Sequence, residues 1–207
     1  MPKPDLSQAG AGGQAAGCRL YLVAPDPLPE DFTVSLSAAL AAADVAALRL
    51  TATDRAVVAR VLPITRAHGV ALILDGPPEL AAATGCDGAH IGDPDEAKAA
   101  RRALGDLQLG VFCAYSRDAG MRAGEAGADY VSFGPLTPGA DGDNELISWW
   151  ADIMELPAVA ECANGGPDCA ALARAGADFL AVGDAVWNDP RGPGEAVRAL
   201  QAAIASV

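Results

Sequence analysis

The chain has 207 residues, enough for one domain with a large core and too few to require two. Hydrophobic residues make up 51% and aromatics only 5%, so a folded globule packed largely by small side chains is expected rather than disorder. A formal net charge of −13 argues against a nucleic-acid binder, which needs clustered Lys and Arg, and disfavours an anionic membrane surface.

Residues 1–17 are Gly, Ala, Pro and polar, lack the apolar stretch of a secretory leader, and are expected to form a flexible tail before a domain over 18–207. Apolar runs follow at Cys18–Ala24, Val45–Leu50 and Val70–Leu74. Next comes Gly85-Cys86-Asp87, leading to Ile91-Gly92, and then the run Gln108–Cys113. Gly127-Ala128-Asp129 leads in the same way to Phe133-Gly134, and after Pro157–Cys162 the segment from Gly176-Ala177-Asp178 ends at Val182-Gly183. No apolar run approaches the roughly 20 residues needed to cross a bilayer.

The three Gly-x-Asp segments are copies of one unit. Each follows an Ala-rich stretch with helical spacing, as in residues 169–175. The first Gly can close that helix in the left-handed conformation, where a side chain would clash. The Asp suits the short turn into the strand, and the last Gly sits where the strand gives way to a loop. Nearly continuous apolar strands separated by helical stretches indicate a parallel sheet covered on both faces. Eight such strands predict a single (β/α)8 barrel, with an open doubly wound sheet as the alternative.

Reactive groups of such barrels come from the C-terminal strand ends. Here these ends hold Arg49, Asp75, Asp93 and Asp95, residues 113–116, residues 134–138, Asn164-Gly165-Gly166 and Gly183-Asp184. Taken in order, they resemble the thiamine phosphate synthase and thiazole tautomerase family over essentially all the chain from Cys18. Arg19-Leu-Tyr-Leu-Val23 resembles that family's opening strand, and Leu48-Arg49 falls on its Gln-Leu-Arg-x-Lys. Asp75 falls on its Asn-Asp, and Gly88-Ala-His-Ile-Gly92 with Asp95 on its Gly-Val-His-Leu-Gly-Gln-x-Asp. Asp129-Tyr-Val-Ser-Phe-Gly-Pro135 and Gly176-Ala-Asp-Phe-Leu-Ala-Val182 match its sixth and eighth strands.

The resemblance implies a transferase that couples aminohydroxymethylpyrimidine diphosphate to hydroxyethylthiazole phosphate, releasing diphosphate. It implies Mg2+ on Asp75 and Asp95, and diphosphate on Arg49. Gly134, Gly165 and Gly166 would offer backbone N–H groups to the thiazole phosphate, with His90, Gly183 and Asp184 also at the substrates. Several family residues are absent. Ala47 and Thr51 stand where the Gln and Lys flank the Arg, Leu74 replaces the Asn, residues 138–145 carry no cation, and Asp184 stands in place of a phosphate-binding Ser. A second reading is therefore a non-catalytic paralogue that binds a thiamine-related ligand or a protein partner.

Each candidate also has a structural reading. Asp75 precedes Gly76-Pro77-Pro78 and suits a turn, while Asp93-Pro94-Asp95-Glu96 suits a helix start. His90 suits a hydrogen-bonded core position and His68 a helix C-terminus. Phe112-Cys-Ala-Tyr-Ser116 offers no His after strand five, which disfavours the tautomerase. Asp141, Asp143 and Glu145 suit a solvated acidic loop, and Trp149, Trp150 and Trp187 suit the core or a homodimer contact. Five cysteines without a metal-binding pattern are expected to be reduced thiols in a cytoplasmic protein, with Cys113 and Cys162 as small apolar filler.

Overall fold

The apolar runs alternate in direction, and that alternation builds two separate cores. The computed structural model describes residues 17–137, 142–163 and 169–206. Its strands are β1 (Arg19–Val23), β2 (Val45–Thr51), β3 (Ala71–Asp75), β4 (Gly88–Ile91), β5 (Gln108–Phe112), β6 (Tyr130–Leu136), β7 (Ala158–Cys162) and β8 (Phe179–Val182). All pair in parallel, and the Leu20↔Leu180 pairing of β1 with β8 closes the barrel, which rules out the open sheet. The helices are α1 (Phe32–Leu40), α2 (Arg55–His68), α3 (Pro78–Thr84), α4 (Ala97–Leu104), α5 (Arg117–Glu125), α6 (Asp143–Ile153), α7 (Ala170–Arg174), α8 (Asp184–Trp187) and α9 (Pro193–Ala205). Most of the expected tail, residues 1–16, lies outside the described residues. No described helix is long and apolar enough to cross a membrane.

Side chains of successive strand residues point to opposite faces. Leu20, Leu22, Leu48, Leu50, Leu72, Leu74, Val131, Phe133 and Leu180 therefore pack outward in one cluster with the helices. Tyr21, Ala47, Ala71, Ile73, Tyr130, Val159, Phe179 and Ala181 fill the barrel interior as another. Small residues make room there for the rings. A Cβ on Gly110 would run into the Tyr130 ring, so this strand position is closed to any side chain. Outside the barrel, buried Trp150 packs edge-on to Phe133 and donates its indole N–H to the Leu156 carbonyl at 2.7 Å. Trp187 donates to the Val23 carbonyl at 2.6 Å and so ties α8 to the upper end of β1.

The repeated unit does more than turn the chain. Gly85, Gly127 and Gly176 all have positive φ, as their place after a helix requires. Each Asp then reaches sideways: Asp87 accepts the backbone N–H of Leu72, Asp129 that of Leu109, and Asp178 that of Ala158, at 2.7–2.9 Å. The same three residues donate their own N–H to the carbonyls of Leu72, Leu109 and Ala158. Each Asp thus clasps the start of the preceding odd-numbered strand, leaving the other end of the barrel free to carry the site.

Candidate active site

β2 and β7 are apolar strands that each carry one charged residue near the C-terminal end, and the barrel brings those two residues together. Arg49 is 11% exposed and Glu161 19%, and the pair is bidentate, with Nη1–Oε1 at 2.7 Å and Nη2–Oε2 at 3.2 Å. The third guanidinium donor, Nε, is buried without a hydrogen-bond partner among the described residues and lies 3.6 Å from Oδ2 of Asp75. Asp75 ends β3, the neighbour of β2, and its side chain stays 41% exposed at the mouth. Two clefts share Arg49 and Glu161 as a common wall. One, of about 230 Å³, is completed by Asp75, His90, Gly92 and Phe112. The other, of about 290 Å³, lies toward β1 and β8 and includes Ala24, Asp26, Pro135, Ala181, Gly183 and Asp184.

Beneath the pair lies a buried polar chain. The hydroxyls of Tyr21 and Tyr130 share a hydrogen bond at 2.8 Å, Tyr130 meets Nδ1 of His90 at 3.3 Å, and Ser132 meets its Nε2 at 3.4 Å. Burial, and secondarily the Arg49 charge, holds the His90 pKa well below the usual imidazole range, so the ring is neutral. Burial likewise pushes both tyrosines upward and keeps them as hydroxyl donors. Burial alone would lower the Arg49 pKa, but the Glu161 hydrogen bonds and charge more than reverse this. Burial raises the Asp75 carboxyl against the pull of Arg49, with Glu161 and Asp26 adding to the rise.

The structure brings Arg49, Asp75 and His90 to one cleft and Gly183 and Asp184 to the other. Asp95 is not in either lining. Asp93 caps a single 3-10 turn at Pro94–Glu96 by accepting the Asp95 N–H, and the Asp95 carboxylate pairs with Arg122 on α5. The Gly134 N–H, expected to serve a phosphate, donates to the Ala114 carbonyl at 3.0 Å in this structure. The residue is glycine for another reason: φ is +147° and a Cβ would sit 2.7 Å from the Glu161 carbonyl. Gly165 and Gly166, with Asn164, lie outside the described residues, as does Asp141. Asp143 and Glu145 sit in the first turn of α6, where Asp143 accepts the Thr137 N–H.

The cysteine expectation fails in part. Cys162 and Cys169 are joined in a disulfide across a sequence separation of 7, whereas Cys18, Cys86 and Cys113 are free. Cys113 is buried and its pKa is pushed up to about 12, mainly by desolvation, which leaves it a thiol.

Among the described residues, no three His, Cys, Asp or Glu side chains form a ready metal cage. Mg2+ does not need one, since it commonly takes one or two carboxylates and completes its shell with water and phosphate oxygens. The partly exposed Asp75 carboxylate, beside an Arg49 Nε that has no hydrogen-bond partner among the described residues, fits that arrangement, while the Asp95 carboxylate pairs with Arg122 in this structure.

The sequence profile of the thiamine monophosphate synthase family matches residues 20–186. The chain belongs to this family. It is 44% identical over 195 residues to the thiamine-phosphate synthase of Rhodospirillum centenum, covering 87% of this chain and 94% of that one. It is 38% identical to the corresponding protein of Hyphomonas neptunium, covering 91% and 95%. The solved thiamine phosphate pyrophosphorylase of Pyrococcus furiosus superposes with a TM-score of 0.79 at 22% identity over 91% of this chain and 96% of that one, a likeness of fold.

Within this thiamine monophosphate synthase barrel, the replaced family positions take clear places. Ala47 is buried in the interior, Leu74 faces the helices, and Thr51 is exposed at the strand end. Glu161, Tyr21, Tyr130 and Ser132 were not among the sequence candidates. Glu161 had one signal, being an acid alone in an apolar strand. The tyrosines and the serine had none that distinguishes an inward polar chain from ordinary strand residues.

Proposed function

We propose that this member of the thiamine monophosphate synthase family couples aminohydroxymethylpyrimidine diphosphate to hydroxyethylthiazole phosphate, with Arg49 and Asp75 receiving the diphosphate. The observation that carries the reading is the buried Nε of Arg49, without a hydrogen-bond partner and 3.6 Å from Asp75, at the mouth of a barrel of this family. In the reaction, the carbon–oxygen bond to diphosphate breaks and its electron pair leaves with the oxygen. The thiazole nitrogen supplies the pair for the new carbon–nitrogen bond and becomes cationic. No net proton moves, which suits a site whose only imidazole is buried and neutral.

The chain's own residues contribute position and charge. Arg49 presents a donor that has already lost its water, so it gains strength against an oxygen that becomes more negative as the bond breaks. Asp75 would hold Mg2+ with the diphosphate oxygens, and the ion supplies Lewis-acid neutralisation of the leaving group. The cleft toward β1 and β8 is assigned to the thiazole phosphate, with Gly183 and Asp184 on its wall. The non-catalytic reading had the missing cations in its favour, but the family match and the names of the relatives do not favour it.

The test is a coupling assay with both substrates and Mg2+, following thiamine phosphate. Arg49→Ala and Asp75→Ala are each expected to lower kcat/KM by roughly 10²–10³, the scale of losing one charged contact to a leaving group. A folded wild-type protein that forms no product would overturn the proposal.

A further inference from the structure

Glu161 occupies the terminal nitrogens of the group assigned to the diphosphate. Its carboxylate takes both Nη atoms of Arg49, at 2.7 and 3.2 Å, and the pair forms the wall between the two clefts. Arg49 is the one cation among the described residues lining either cleft, while Asp75, Asp26 and Asp184 add acids to the same linings. His90 stands 4.0 Å from Glu161 and is neutral. An anion approaching this mouth alone therefore meets carboxylates and an arginine whose charge is already matched.

We infer that Glu161 is a specificity-determining residue: by neutralising Arg49 it denies the mouth to a bare diphosphate and makes anion binding conditional on a divalent cation that arrives with it. The inference rests on the proposed diphosphate site. Its physical basis is that a buried charge without a partner is costly, so removing Glu161 would leave a guanidinium in want of any anion. With Glu161 in place, a bare anion must displace a bidentate carboxylate and also face the neighbouring acids. An anion that brings its own cation would be held through that cation by Asp75, and would need only the Nε of Arg49, which has no hydrogen-bond partner among the described residues and lies 3.6 Å from Asp75.

The experiment is calorimetric titration of the full chain with inorganic diphosphate, once in excess chelator and once in excess Mg2+. Wild type is expected to bind in Mg2+ and to bind at least about ten-fold more weakly in chelator. Glu161→Gln is expected to gain roughly ten-fold in affinity for diphosphate in chelator, since a neutral amide competes less well than a carboxylate for a guanidinium. Glu161→Asp, whose carboxylate reaches less far, should gain about three-fold and serves as the readout if the Gln variant does not fold. The double variant Arg49→Ala/Glu161→Gln should show no gain. A Gln or Asp variant with wild-type circular dichroism and no gain in chelator would overturn the inference, as would a gain that survives loss of Arg49. Wild type that fails to bind diphosphate in Mg2+ would instead count against the proposed function, while the chelator comparison still judges Glu161.

Discussion

Arg49 and Glu161 depend on each other before any substrate arrives. Both are largely buried, and each supplies the other's counter-charge through two hydrogen bonds. Replacing such a pair by well-packed apolar residues can be neutral, whereas removing one partner leaves an uncompensated charge. Arg49→Ala is therefore expected to destabilise the fold by about 3–5 kcal/mol, and Arg49→Ala/Glu161→Leu by much less. Urea unfolding of the two variants against wild type checks this, and equal losses would mean that the ion pair does not act as a unit. Lysine is no substitute, because a single ammonium cannot reproduce the two-pronged contact with Glu161 and also leave a donor facing Asp75.

The Asp clasps act one level up, where they join one βα unit to the next. Asp178 accepts the Ala158 N–H at the start of β7, and burial raises its carboxyl pKa although that hydrogen bond pulls the other way. The carboxylate is therefore useful as an acceptor and costly as a charge. Asp178→Asn keeps an acceptor oxygen and loses the charge, so its stability should stay within about 1 kcal/mol of wild type. Asp178→Ala leaves the Ala158 N–H unpaired and should lose about 1–3 kcal/mol. Thermal unfolding separates the two, and equal effects would show that the acceptor does not matter.

At this level the sequence was readable, because buried parallel strands appear as apolar runs and because the left-handed glycines Gly85, Gly127 and Gly176 punctuate the helices that precede β4, β6 and β8. The sideways reach of the aspartates was not, since it depends on which strand lies next door. The same limit hid Glu161. A lone acid in a strand faces either the helices or the axis, and only ring closure and register place it on Arg49. Asp95 shows another limit: a motif suggested a ligand, but nothing in the sequence showed that, beyond the 3-10 turn capped by Asp93, its carboxylate pairs with Arg122. The bond between Cys162 and Cys169 was equally invisible, having no spacing pattern that distinguishes it from two core thiols.

Across the whole molecule, acidity has opposing consequences as pH falls. The net charge of −13 shrinks as carboxylates take up protons, which relieves self-repulsion and favours the compact state. Asp75 and Asp178, with folded pKa values raised by burial, also favour the fold as the pH falls toward the ordinary carboxylate range. His90 works the other way. Its folded pKa lies well below 6.5 because the ring is buried and faces Arg49. The unfolded chain therefore binds a proton below pH 6.5 that the folded chain refuses. The His90 contribution is complete above pH 6.5 and declines by about 1.4 kcal/mol per unit as pH falls toward the folded value. Between pH 7.0 and 5.5, ahead of most carboxylate titration, wild type should lose about 1 kcal/mol of unfolding free energy that His90→Gln does not lose. Urea denaturation of both proteins at the two pH values measures the difference directly. Parallel losses would mean that the imidazole is not held neutral in the barrel, and that the polar chain from Tyr21 to Ser132 carries a charge beneath the Arg49–Glu161 pair.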